Sequence, residues 1–196
     1  MNVDALGDFD FHYSNKPYIP LASIDQNLNV IYIGSVTKTF APSLRIGFLI
    51  AESKFVHACS YLRQLIDKQG DSLLEEAFSG LYANGVMERH FRKCLKIYQQ
   101  RRDLFCELLS TDFKNVITFD VPEGGLAVWS LFSEDISLRQ LSRRALEMGL
   151  RIGDGTFYDN EMLKPNGLRL GFASLNEQEI TTALQILRGA IKVATK

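Results

Sequence analysis

The sequence lacks the features of a membrane protein or a secreted protein. No apolar run approaches the roughly 20 residues that a membrane helix needs, and no basic region followed by an apolar stretch marks a signal peptide. Cysteine is scarce, with three residues at wide and irregular spacing. An odd number without metal-ligand spacing predicts buried thiols in a reducing compartment and no metal site, so we expect a cytoplasmic protein.

Neither sign of charge is in excess. The 22 Lys and Arg residues nearly balance the 23 Asp and Glu residues, which gives a formal net charge of −1. A dedicated nucleic-acid surface is usually basic, so this balance predicts no direct nucleic-acid contact by the chain. Internal repeats and low-complexity segments are also lacking. At 46% hydrophobic over 196 residues, the chain can bury a core in one or two domains.

The first half of the sequence predicts two short strands followed by helices. Residues 1–27 mix polar and aromatic side chains and predict irregular structure. Residues 30–33 form a β-branched apolar run, which is typical of a buried strand, and residues 44–51 form a second such run. From residue 52 the apolar spacing becomes helical, and a long amphipathic helix is predicted near 86–110.

The last 85 residues alternate between predicted strands and predicted helices. Three apolar runs predict strands: 116–121, 126–132 and 168–173. Two pairs with capping-box spacing mark helix starts, Ser137 with Gln140 and Asn176 with Glu179. This order predicts a compact α/β unit with an antiparallel or mixed sheet.

One lysine stands in the polar connection between the first two predicted strands. An amine used for Schiff-base chemistry needs to be fixed, partly desolvated and near other positive charge. The turn after a strand would fix Lys38. Arg45 would supply a second positive charge and a planar guanidinium group that can donate two hydrogen bonds to a phosphate. Ser35 would add a hydroxyl to the same phosphate. An ordinary surface loop with one lysine and one arginine is the alternative that spacing alone leaves open.

The amino-acid sequence of this segment resembles that of a known protein family. Residues 33–48, which read IGSVTKTFAPSLRIGF, resemble the lysine segment of class I/II aminotransferases. They look most like MocR-type regulators, a branch of the GntR family in which a winged helix-turn-helix precedes an aminotransferase-like domain. Segments 13–25, 85–103 and 167–173 are similar to further family motifs and follow in the family's order.

The resemblance implies a fold and a division into domains. The expected fold class is α/β, a partial PLP-dependent transferase fold of the aspartate aminotransferase type. Residues 1–55 would be the end of the large cofactor-binding domain, residues 56–110 linking helices, and residues 111–196 the small C-terminal α/β domain. The family's domain is considerably longer, so we expect a truncated domain without its first half and without the winged helix.

The resemblance also implies a cofactor, pyridoxal 5'-phosphate (PLP), and roles for individual residues. Lys38 would bond covalently to the cofactor, and Arg45 and Ser35 would hold its phosphate. Arg169 would bind the carboxylate of an amino-acid or amine ligand. Its apolar neighbours predict a buried guanidinium that needs a partner, while an ordinary strand arginine in solvent is the alternative.

One part of the family's cofactor site has no clear match. In the family an aspartate pairs with the pyridine nitrogen and a tyrosine bonds the phenolic oxygen of the cofactor. Counting back from Lys38 without gaps places these roles at Ala5 and Gly7, which cannot perform them. Asp8 is the nearby candidate for the acidic role, and a solvated acidic terminus is the alternative.

Three functions from different classes follow from this sequence. The first is the effector-sensing half of a MocR-type transcriptional regulator, inactive as this isolated chain. The second is part of an aminotransferase that acts on an amino acid and a keto acid, and the third is a folded remnant without a cofactor. We also expect a homodimer, because strands 30–33 and 45–50 belong to a large parallel sheet and would here expose edges.

Overall fold

The computed structural model describes residues 2–5, 11–14, 19–68, 70–159 and 164–194. The chain divides into two compact units, residues 1–95 and residues 96–196. None of the helices in the described ranges combines the length and the hydropathy of a membrane span.

The first unit contains a mixed three-stranded sheet. Strand β1 (Asn2–Ala5) is parallel to β2 (Val30–Ser35), which is antiparallel to β3 (Gly47–Ile50). The prediction of irregular structure over residues 1–27 is therefore wrong at β1, and the prediction of a parallel sheet is wrong for β2 and β3. The connection from β2 to β3 is too short for a parallel crossover, which needs a dozen or more residues.

A carboxylate organises the loop that enters β2, just after the short helix α1 (Leu21–Ile24). Asp25 accepts hydrogen bonds from the backbone N–H groups of Asn27 at 3.0 Å and Val30 at 2.7 Å. Desolvation raises the pKa of this carboxyl, but the backbone N–H groups outweigh it and hold the pKa below its ordinary value. The stabilisation is thus present above the ordinary aspartate pKa and is lost as the pH falls through the lowered value.

Helices follow the sheet, as the apolar spacing predicts. They are α2 (Ser53–Asp67), α3 (Ser72–Ala83) and α4 (Val86–Asp112). The Asp71 side chain caps α3 by accepting from the Leu74 N–H at 3.0 Å. The prediction of a long helix near residues 86–110 is confirmed by α4. The boundary between the two units, after residue 95, falls within this helix.

The second unit is built on an antiparallel sheet of β4 (Ile117–Phe119), β5 (Ala127–Phe132) and β6 (Gly167–Gly171). Two helices, α5 (Leu138–Glu147) and α6 (Glu177–Ala194), accompany it. The predicted caps are confirmed. The Ser137 hydroxyl accepts from the Gln140 N–H at 3.4 Å, and Asn176 and Glu179 exchange side-chain-to-backbone bonds of 2.9 and 2.7 Å.

The core of the second unit lies between one face of this sheet and the helices. Strand β5 alternates buried and exposed side chains, with Val128, Ser130 and Phe132 facing inward. Phe172, which follows β6, is 0% exposed, and its ring centroid lies 6.2 Å from that of Phe105 on α4. The burial of apolar side chains such as these is the main contribution to the stability of a folded unit.

One buried hydroxyl in this core has no hydrogen-bond partner among the described residues, and its removal is expected to stabilise the unit. Ser130 Oγ is fully buried, and a hydroxyl without a partner costs about 1–3 kcal/mol. Ser130→Ala is expected to raise the free energy of unfolding by about 1 kcal/mol in urea denaturation.

Ser133 provides the matched control for this substitution. Its hydroxyl donates to the Val116 carbonyl at 3.2 Å. Ser133→Ala is therefore expected to lower the free energy of unfolding by about 1 kcal/mol. A loss of stability on Ser130→Ala equal to that of the control would show that the buried hydroxyl is satisfied and would contradict the prediction.

The cysteines do not share one environment. Cys106 is buried, and desolvation raises the pKa of its thiol to about 11, with Arg102 opposing that rise. Cys59 and Cys94 are only half-buried, so the prediction of three buried thiols is wrong for these two. For Cys59 the reason is local, because its helix α2 has no buried residue among those whose side chains are described.

Candidate functional site

A cleft in the first unit brings together three residues that the sequence analysis selected. It has a volume of about 410 Å³ and lies where β2 ends and β3 begins. Its lining residues are Ile33, Gly34, Ser35, Thr37, Lys38, Arg45, Ile46 and Gly47. The residues around this space carry an amine, a guanidinium and two hydroxyls, and this set is suited to an anionic ligand with a group that reacts with amines.

Lys38 lies on the turn that follows β2. The Phe40 N–H donates to the Val36 carbonyl at 3.0 Å, which closes the turn around Lys38, and the neighbouring Thr39 is buried. The predicted position on a fixed turn after a buried strand is thus confirmed. Lys38 itself is exposed, so the expectation of a partly desolvated amine is wrong for the chain as the structure describes it.

Arg45, which also lines the cleft, has an unusual backbone conformation. It follows the 3-10 turn Pro42–Leu44 and has φ 51° and ψ 30°, in the left-handed region. A residue with a side chain adopts this region at a cost on the order of 1–3 kcal/mol, and such strain is concentrated at functional sites. A hydrogen bond of 3.1 Å from Val36 N–H to the Ile46 carbonyl fixes the adjoining backbone.

Two hydroxyl-bearing residues that line the cleft lie at the end of β2 and just after it. Ser35 Oγ and Thr37 Oγ1 are 3.0 Å apart, and Ser35 Oγ also accepts from the Thr37 N–H at 3.3 Å. Sequence reasoning selected Ser35 and missed Thr37. The signal that indicates Thr37 is its position two residues after Ser35, the spacing of a hydroxyl turn that bonds its own backbone.

A glycine on β2 is required by close packing next to the cleft. Gly34 pairs with Phe48 across the two strands. A Cβ at residue 34 would lie 2.2 Å from the Phe48 ring, so the ring covers the glycine. This contact holds β2 and β3 together directly before the lysine turn, since cross-strand pairs stabilise a sheet.

The residue selected for carboxylate binding belongs to the second unit. Arg169 lies on β6 opposite Trp129 of β5 and is exposed, so the expectation of a buried guanidinium is wrong. The reason is the strand's alternation, which turns Leu168 and Leu170 inward and Arg169 outward. Within the residues that the structure describes, no side chain forms a hydrogen bond or ion pair with this guanidinium.

Two arginines of α4 serve the framework of the second unit. Arg101 donates to the Ala173 carbonyl just after β6, and Arg102 donates to the Pro122 carbonyl at 3.1 Å. Arg102 also pairs with Asp103 at 2.6 Å. Both arginines satisfy backbone carbonyls in the segments that follow β4 and β6.

The candidate for the acidic partner of the cofactor ring lies largely outside the described residues. Asp8 and Gly7 fall in the undescribed range 6–10. Ala5 closes β1 and is paired in register with Ile33 of β2. Ala5, the residue that gapless counting selects, therefore lies next to β2, the strand that precedes the turn with Lys38.

The chain is similar to proteins of two functional kinds. It is 31% identical over 176 residues, 90% of its length, to an uncharacterized HTH-type transcriptional regulator, YdfD of Bacillus subtilis. It is 28% identical over 193 residues, 95% of its length, to aromatic-amino-acid aminotransferase 1 of Thermococcus litoralis. The chain spans 36% of the first protein and 45% of the second, less than half the length of either.

A solved structure and a family model extend this comparison. The kynurenine aminotransferase of Pyrococcus horikoshii, in complex with PMP, superposes with a TM-score of 0.83 at 25% identity. The match covers 95% of this chain and 46% of that one, which confirms the predicted partial aminotransferase fold. Residues 6–187 match the model of the family aminotransferase class I and II. The predicted resemblance is thus confirmed, and the chain belongs to the aminotransferase class I and II family.

Proposed function

We propose that this chain is the effector-sensing, PLP-binding domain of a MocR/GntR-type transcriptional regulator. The observation that carries the proposal is the lysine cleft, in which the MocR-like segment places Ser35, Lys38 and Arg45 around one space. The similarity to an HTH-type regulator over 90% of the chain supports it. In this role the chain binds an amino-acid or amine ligand and makes no direct nucleic-acid contact.

Pyridoxal phosphate is the cofactor that family membership implies, and the residues of the cleft fit it. When bound, it supplies an aldehyde that reacts with amines and a ring that withdraws electrons. In our proposal Lys38 holds the aldehyde covalently. Arg45 and Ser35 hold the phosphate, because a guanidinium fork and a hydroxyl donor match its oxygens.

Arg169 has a separate role in the proposal. Its planar fork is suited to the carboxylate of the ligand, and its exposure leaves the fork accessible. We further propose that the chain acts as a homodimer in the cytoplasm. The sheet of the first unit supports self-association, because β1 and β3 each have one edge unpaired among the described strands.

We propose that this chain, on its own, does not catalyse amino transfer. The family's acidic partner of the pyridine nitrogen falls on Ala5, whose methyl group cannot hold a proton on the ring. Without that partner the ring is a weaker electron sink, so proton removal from a bound amino acid is slowed. Binding at Lys38 needs no such partner, which separates sensing from catalysis.

The alternative is that the chain is part of a class I/II aminotransferase acting on an amino acid and a keto acid. The similarity to an aromatic-amino-acid aminotransferase over 95% of the chain favours this reading. Fold alone does not decide between them, because one fold supports both sensors and enzymes.

Chromatin immunoprecipitation distinguishes the two functions. An antibody raised against this chain is used to recover the native polypeptide that carries it, together with crosslinked DNA. The regulator proposal predicts enrichment of discrete promoters and no keto-acid product from the recovered protein with amino and keto acids. Absence of enriched DNA together with steady keto-acid formation would overturn the proposal in favour of the enzyme.

A further inference from the structure

A second pocket in the first unit is lined in part by the same turn that carries Lys38. It has a volume of about 350 Å³ and extends to residues of α3 and α4. The residues of the turn divide between the two spaces, because Thr37 and Lys38 line the cleft whereas Val36 and Thr39 line this pocket. The two spaces share no described lining residue, so the pocket is separate from the cleft.

Three aromatic residues line this second pocket. Phe78 and Tyr82 lie four residues apart on α3, and Phe91 lies on α4. Two of the three rings are held by other rings. Phe78 meets Phe40 edge-on at 6.3 Å between ring centroids, and Phe91 stacks on Phe11 at 4.8 Å. Rings that are already held in place can pack on a flat ligand with little further loss of side-chain freedom.

The second pocket offers little net charge to a ligand. Among its described lining residues, Glu88 is the one with a carboxylate, and this carboxylate pairs with Arg92 of the same helix at 3.2 Å. Both side chains of the pair are largely exposed. A charged ligand would lose hydration on entering an apolar pocket and would find no free opposite charge there. The pocket therefore favours an uncharged ligand.

One buried hydroxyl-bearing residue lines the pocket and sets the polar requirement for a ligand. Thr39 is buried, and its hydroxyl donates to the Val36 carbonyl at 3.5 Å, which is a long hydrogen bond. The hydroxyl proton is thus used within the turn, whereas the oxygen keeps lone pairs that can accept a hydrogen bond. A ligand with an N–H or O–H group matches this acceptor, and a ligand without one gains no hydrogen bond from it.

We propose that this pocket is a second binding site, for a small uncharged aromatic molecule that carries one N–H or O–H donor and no carboxylate. The ligand's ring packs among Phe78, Tyr82 and Phe91, and its donor bonds to the Thr39 hydroxyl. Pockets for small ligands measure about 300–1,000 Å³, so 350 Å³ suits a molecule of one or two rings. The inference goes beyond the proposed function, because this site uses neither the cofactor nor Lys38.

Indole is the probe for this site, because it is an uncharged two-ring molecule with one N–H donor. The experiment titrates the full chain with indole and follows binding by saturation-transfer NMR. Half-saturation is expected at or below about 1 mM, as for a small ligand of nine non-hydrogen atoms. Benzofuran has nearly the same shape but carries an oxygen in place of the N–H, so it is expected to bind about two- to tenfold more weakly.

Variants assign the two kinds of contact. Tyr82→Ala removes one ring and is expected to weaken indole binding by about three- to tenfold. Tyr61→Ala is the matched control, because Tyr61 on α2 is 63% exposed against 66% for Tyr82 and does not line the pocket; it should change nothing. Thr39→Val keeps the shape and removes the hydroxyl, so the preference for indole over benzofuran is expected to disappear.

The proposal is overturned if indole shows no saturable binding, or if Tyr82→Ala and Tyr61→Ala weaken its binding equally. An indole affinity that falls as the chain concentration rises would show that a second copy of the chain covers the pocket, and would also overturn it. Lys38→Ala is expected to leave indole binding unchanged, because Lys38 lines the cleft and not this pocket. A loss of binding in that variant would place indole in the cleft. The titrations contain no cofactor, so a failure here is distinct from a failure of the proposed cofactor chemistry, which labelling at Lys38 tests separately.

Discussion

Borohydride reduction of the chain in the presence of excess pyridoxal phosphate is expected to label Lys38 above all other described lysines. Lys38, Lys54, Lys68 and Lys93 are all exposed, so accessibility does not separate them. Lys38 alone shares a cleft with Arg45 and Ser35. A held phosphate keeps the aldehyde beside one amine, and such positioning raises the effective concentration by orders of magnitude.

Substitutions test whether the cleft is responsible for this selectivity. Lys38→Ala is expected to abolish the specific label in peptide mapping by mass spectrometry. Arg45→Ala removes a charge-assisted contact of about 1.5–3 kcal/mol, so labelling at limiting cofactor is expected to fall roughly ten- to hundredfold. The control is Arg63→Ala, since Arg63 is an exposed arginine of α2 paired with Glu75 at 3.2 Å.

The cofactor analogue without phosphate provides a second control. Pyridoxal offers the same aldehyde, but Arg45 has no phosphate to bind, so the preference for Lys38 is expected to disappear. We expect the specific label to require excess cofactor, because gapless counting from Lys38 places Ala5, which has no acidic group, at the position of the acidic ring partner. Equal labelling of the four lysines by pyridoxal phosphate would mean that the cleft does not bind it. The third function given by the sequence, a folded remnant without a cofactor, would then be favoured.

The sequence predicts those parts of the fold that depend on neighbouring residues. The caps at Ser137 and Asn176 are local hydrogen-bonding patterns, and both form as predicted. The turn at Lys38 directly follows a run of β-branched residues, so it too could be predicted from residues that are adjacent in sequence. Exposure of individual side chains is less predictable, because the strand's alternation at Arg169 outweighs the apolar composition around it.

Features that depend on distant residues could not be predicted. Strand β1 forms by parallel pairing with β2 across a connection of more than twenty residues, and its own four residues carry little strand signal. The contact between Trp129 and Tyr158 joins segments that are far apart in sequence. The left-handed conformation of Arg45 also has no local signal, because such positions usually carry glycine or asparagine.

Phe172→Ala is expected to remove much of the stability of the second unit. The ring is 0% exposed and packs beside Phe105, and the Phe172 N–H donates to the Leu126 carbonyl at 3.2 Å. Deleting a buried phenylalanine side chain costs about 3–5 kcal/mol through lost burial and the remaining cavity. Since a domain is stable by only about 5–15 kcal/mol, this loss is a large fraction of the total.

Phe157→Ala is the matched control, because it deletes the same side chain at a position that is 90% exposed in the same unit. Its expected effect lies within about 0.5 kcal/mol of zero. Urea unfolding followed by the fluorescence of Trp129 monitors the second unit specifically, since Trp129 is the chain's single tryptophan. Phe172→Ala should shift the midpoint to lower urea with little change in the slope of the transition. Equal midpoints for the two variants would mean that Phe172 is not part of the cooperative core. If Phe172→Ala alone shows no unfolding transition, the substitution has unfolded the second unit. That result would agree with the prediction, and the free energy of unfolding of the unit would then not exceed the loss caused by this one substitution.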